Sequence, residues 1–69
     1  MHSVEIYIAD RDFVERMSGM RIWLDGRRFE PAVFRYEHVE NGVVVRVEFA
    51  VESEAAAFAE EFDGKVLIR

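Results

Sequence analysis

The chain has no cysteine among its 69 residues, which excludes disulfide bridges, thiolate metal ligands and thiol nucleophiles. Proline occurs once, at Pro31, and glycine four times. There is therefore no proline- or glycine-rich linker, and no phosphate-cradling glycine loop follows the first strand-like segment. Histidine is confined to His2 and His38, at no spacing that suggests a metal centre. Uninterrupted apolar stretches are short, the longest running from Ala55 to Ala59, far below the ~20 residues of a membrane helix. Glu5 and Asp10 stand where the apolar region of a secretory signal would lie. These absences lead to the expectation of a cytoplasmic protein, with no membrane partner, no cofactor and no metal.

Positive charge is scarce in the second half. Residues 1–36 carry six arginines against six acids, whereas residues 37–69 carry three cations against eight acids, giving the net charge of −5. A basic footprint is what nucleic acid and anionic membranes require, so general binding to either is disfavoured. A local basic site in the first half remains compatible with this distribution.

What is present is apolar patterning. Hydrophobic residues make up 51% of the chain, six of them phenylalanine. A single domain over 1–69 buries only about 60% of its unfolded surface, so self-association would be a useful additional source of burial. Val4, Ile6 and Ile8 alternate with Glu5, Tyr7 and Ala9, the period of a strand with one buried face. Phe13, Met17, Met20 and Leu24 then recur at helical spacing, with Val14 and Trp23 beside them. Asp12 and Glu15 have capping-box spacing, and Asp25-Gly26 supplies residues that stop a helix, so this helix is expected to end near Leu24. Phe29 is expected to tuck beneath it.

Asn41-Gly42 is a hairpin signal, because both central positions of a type I′ turn need positive φ. Counting outward from it pairs Phe34 with Phe49, Tyr36 with Val47 and His38 with Val45 on an apolar face. Arg35 then faces Glu48, and Glu37 faces Arg46, on the other. Ala55, Phe58, Ala59 and Phe62 occupy i, i+3, i+4 and i+7 of a second helix, which Asp63-Gly64 closes. Residues 65–69 alternate again, with Val66 and Ile68 facing in.

The order β-α-β-β-α-β predicts a ferredoxin-like, two-layer α+β sandwich: an antiparallel sheet in the order 4-1-3-2 with both helices on one face. The layer facing the helices would hold Val4, Ile6, Ile8, Phe34, Tyr36, Val45, Val47, Phe49, Val66 and Ile68.

No catalytic grouping is visible. Ser3, Ser18 and Ser53 lack a nucleophile-elbow context, and no acid lies in an apolar run that would raise its pKa. Met17, Met20 and Trp23 have the spacing that core packing produces. His38 is expected as a rim residue on the core side. The carriers of soft metals in this fold need paired cysteines after the first strand, where this chain has Ala9-Asp10-Arg11-Asp12.

The leading expectation is a non-enzymatic protein-interaction or homodimerising module using the open sheet face, through Tyr7, Arg35, Val44, Arg46 and Leu67. An alternative is a regulatory domain binding a small anion or metabolite at Arg21, Arg27 and Arg28, since guanidinium groups bind carboxylate or phosphate in bidentate fashion. Those arginines also suit the negative end of the helix dipole, or the acidic Glu60, Glu61 and Asp63 of a neighbouring subunit. RNA binding on the sheet face is third, as Tyr7 is the one aromatic expected there.

Overall fold

The computed structural model describes residues 1–67. Strand β1 spans His2–Ala9, followed by a 3₁₀ turn, Asp10–Asp12, and helix α1, Phe13–Arg27. The hairpin is β2, Val33–Val39, and β3, Gly42–Phe49; helix α2, Glu52–Phe62, and β4, Lys65–Leu67, complete the chain. The sheet is antiparallel in the order β2-β3-β1-β4, which is the order expected from the sequence. Ile68 and Arg69 lie outside the described residues. No described helix is long and apolar enough to cross a membrane.

Alternation does most of the work in the sheet. Val4, Ile6 and Ile8 stand opposite Val47, Val45 and Val43, and all six are buried. Met20 and Leu24 of α1 and Ala55, Phe58 and Ala59 of α2 join them in a single core, which puts both helices on this face. The small side chains of Ala55 and Ala59 let α2 lie close to the strands. Phe58 is fully buried at the centre, its ring 5.4 Å from Phe49, 5.7 Å from Trp23 and 5.0 Å from Phe62. Phe29 meets Trp23 edge-on at 5.6 Å, beneath α1 as expected.

The hairpin departs from its expected register by two residues. Val39, not Glu40, closes the loop, opposite Gly42, and Phe34, Tyr36 and His38 stand opposite Val47, Val45 and Val43. Because side chains alternate with period 2, a slip of two changes every partner and keeps every face. The expected pairs Arg35–Glu48 and Glu37–Arg46 therefore become diagonal, and Arg35 stands directly opposite Arg46.

The turn explains the slip. Its central residues are Glu40 and Asn41, and only Asn41 has positive φ, 65°. Positive φ at the second central residue alone does not meet the type I′ requirement; type II needs it at that position only. Gly42 does not have positive φ and is needed for space instead: a Cβ there would stand 2.6 Å from the Ile8 carbonyl oxygen and from the Tyr7 ring.

Helix α1 also runs further than its glycine suggested. Gly26 lies inside it, and Arg28 takes the left-handed position at φ 59°. Phe29 N–H donates to the Leu24 carbonyl and Arg28 N–H to that of Asp25, at 3.0 and 3.1 Å, the two bonds of a Schellman cap. Docking of Phe29 against the core sets this end. At the other end Asp12 occupies the N-cap without a side-chain capping bond, so the capping-box spacing is not used. In α2 the left-handed residue is Asp63, at φ 55°. Gly64 is required by contact, because a Cβ would lie 2.7 Å from Ile6 Cγ1.

Two residues assigned to the inner layer are exposed. Tyr36 is 51% exposed and Val66 36%. β2 is an outer strand reached only by the flank of α1, so its inner face is shielded at Phe34 and open beyond it.

Candidate functional site

The residues singled out on the open sheet face separate into three groups. Arg35, Val44 and Arg46 come together with Glu5, Glu37 and Val39 in one shallow depression. Tyr7 is exposed but committed: its hydroxyl donates to the Asn41 main-chain oxygen at 3.0 Å, which lays the ring over the turn. Leu67 stands beside Ser3 on β4, at the opposite edge of the sheet from Arg35.

Arg46 is the most constrained of these side chains. It faces Glu5 on β1, and Nη2 donates to Glu5 Oε2 in an ion pair. The hydrogen bond and the charge of that carboxylate raise the already high Arg46 pKa, and the charges of Glu48 and Glu37 act in the same direction. Lys65 stands on the other side of Glu5. One row across the sheet thus reads Lys65, Glu5, Arg46, Arg35, with charges that alternate until the outer strand, where Arg35 follows Arg46.

The arginines of the anticipated anion site fall on different flanks of α1. The Arg21 guanidinium lies 5.0 Å from the Phe34 ring centre, towards β2. Arg27 lies 4.8 Å from that of Trp23, in a cleft shared with Glu60 and Glu61 of the same chain. Arg28 forms the helix cap. Pairing with the acidic helix is therefore available to Arg27 within one molecule.

His38 lies on the core-side face as expected but is exposed. Its ring is 5.9 Å from Tyr36 and 6.3 Å from Phe13. Met20 is buried and Met17 packs against the core. Among the described residues no three His, Asp or Glu side chains gather as a metal-binding group.

A group of exposed apolar side chains lies where the sequence did not direct attention, between α1 and β2. Val14 is 78% exposed, Ile22 72% and Tyr36 51%, and with Phe13, Met17 and Arg21 they line one groove. Phe13 meets Tyr36 at 5.2 Å and Arg21 covers Phe34, so side chains of α1 reach β2 at these two points. At 3.6 residues per turn Val14 and Ile22 lie about 100° and 180° around the helix from Phe13, well off the core stripe. That displacement is the signal in the sequence: α1 carries apolar side chains on flanks the core does not need. Contiguous exposed apolar surface of this kind is a mark of interaction sites.

No protein-family model, curated protein or solved structure matches this chain.

Proposed function

We propose that this chain is a non-enzymatic interaction module built on a ferredoxin-like sandwich, and that its partner is a second copy of itself. The element order and the sheet order β2-β3-β1-β4 support that architecture. The observation that carries the functional reading is the exposed groove of Val14, Ile22 and Tyr36 beside an unpaired strand. A domain of this size gains proportionally more from covering such a surface than a large one does, because its own core is small. Self-association covers the groove on both copies at once. The α1 flank is apolar with Arg21 at its rim, which suits a partner surface of the same mixed character.

Light scattering on the full chain tests this. A dimer at micromolar concentration is expected, and Val14→Lys with Ile22→Lys should give a folded monomer, since neither side chain belongs to the core. A wild-type chain that scatters as a monomer throughout removes the reading.

A further inference from the structure

Strand β2 ends the sheet with its outer edge unpaired, and the hairpin dictates which main-chain groups it presents. A two-residue loop is closed by a hydrogen-bonded pair, here Val39 with Gly42, and bonded and non-bonded pairs alternate along an antiparallel ladder. Val33, Arg35, Glu37 and Val39 therefore aim their N–H and C=O groups at β3. Phe34, Tyr36 and His38 aim theirs outward.

Sheet edges are ordinarily blunted by charged side chains, lysine above all, and by proline, bulges or extreme shortness. Over Val33–Val39 there is no lysine and no proline, the two charged residues, Arg35 and Glu37, are of opposite sign, and the register with β3 is unbroken. The opposite edge, β4, is three residues long over the described residues and begins with Lys65. Among the described residues β2 therefore offers the longer edge, with charges that a second copy can match.

We infer that β2 pairs antiparallel with β2 of a second copy about a two-fold axis through Tyr36, joining two four-stranded sheets into one of eight. This rests on the self-association proposed above and specifies its geometry. An axis perpendicular to the sheet keeps the helices of both copies on one face. Centred on Tyr36, it sets Val33 against the partner's Val39, Phe34 against the partner's His38 and Arg35 against the partner's Glu37. All seven residues of β2 find a partner, the outward main-chain groups meet each other, and the opposite-charge contact occurs twice.

Neighbouring centres lose this match. An axis at Arg35 or at Glu37 sets like charges against each other on the axis itself, which is destabilising for directly opposite residues. An axis at Phe34 or His38 faces one of the charged residues with valine and shortens the ladder. The Tyr36 centre also answers the charge pattern of the open face. Arg46 is engaged by Glu5, whereas the direct inner neighbour of Arg35 is Arg46 itself, so the partner's Glu37 supplies the missing alternation.

The same axis turns the α1 flank onto itself. Val14, Ser18 and Ile22 recur at four-residue intervals on one side of the helix, and Val14 and Ile22 are the two most exposed of its large apolar side chains. Since Phe13 and Arg21 of α1 reach over Tyr36 and Phe34 of β2, edge pairing brings this flank towards its copy, with the small Ser18 at the middle.

Charge exchange tests the geometry, because a substitution acts at both symmetric contacts. Sedimentation velocity on the full chain should show a wild-type dimer. Arg35→Glu and Glu37→Arg, each exposed and outside the core, should each raise the dimer dissociation constant by about tenfold or more. An equimolar mixture of the two variants should dimerise like wild type, since each substituted position then meets its opposite charge. In a chain without cysteine, Tyr36→Cys should form a disulfide-linked dimer on oxidation, because a residue on the axis faces its own copy. Dimers unaffected by both charge variants, or a Tyr36→Cys dimer that does not cross-link, overturn the edge geometry while self-association stands. A wild-type monomer at every concentration overturns both.

Discussion

Tyr7 lies across Gly42 from the neighbouring strand, and the two are joined through the turn by the hydrogen bond from the Tyr7 hydroxyl to Asn41. Position 42 has no room for a side chain, even though its backbone would accept one. Gly42→Ala should therefore destabilise the chain by about 1–3 kcal/mol, the usual cost of overpacking, measured by urea unfolding. Adding Tyr7→Ala should recover only part of that loss, because the Ile8 carbonyl still stands 2.6 Å from the new Cβ.

Helix α2 has no basic residue in its last turn. Arg16 of α1 supplies the cation instead, its Nη2 donating to the Phe62 carbonyl at 3.2 Å. Such a contact both satisfies a terminal carbonyl and opposes the negative end of the helix dipole. Arg16→Ala should cost about 1 kcal/mol. The loss should shrink in high salt, so unfolding curves at low and high ionic strength check the assignment.

Arg28 and Asp63 both hold left-handed backbone at helix ends. This conformation costs a typical L-residue about 1–2 kcal/mol, while Asp tolerates it better. Arg28→Gly should raise stability by about 0.5–1 kcal/mol after allowing for the freer unfolded chain. Asp63→Gly should gain less. Thermal melts of the two variants side by side decide the order.

Phe58 of α2 meets Phe49 of β3 and Trp23 of α1, with Phe62 beside it on its own helix. Phe58→Ala should remove about 3–5 kcal/mol. A chain of this size has about 3–10 kcal/mol in all, so the variant should be largely unfolded by circular dichroism. Phe58→Leu, which keeps most of the volume, should remain folded with a lower melting temperature.

Much of the candidate surface was legible only in part. Arg35, Val44 and Arg46 could be placed on the open face because the hairpin's parity survived the two-residue slip. Their partners could not. Asn-Gly satisfies the turn in more than one frame, and Tyr7, 35 positions earlier in the chain, occupies the space over Gly42. Ion pairing of Arg46 with Glu5 was equally hidden, since it depends on the register of β1 against β3, which no local pattern reports. The groove at Val14, Ile22 and Tyr36 depends on which side of α1 the sheet leaves uncovered.

Periodicity in the chain was sufficient for the number, type and order of the elements, because Val4, Ile6, Ile8 and the Ala55–Phe58–Ala59–Phe62 stripe each bury only in one conformation. Long-range contact decided the rest: the hairpin frame, the end of α1 where Phe29 docks, and the exposure of β2. These choices rest on free energies of a kcal/mol or so between alternatives that local sequence leaves nearly equal, and the side chains that tip them arrive from elsewhere in the fold.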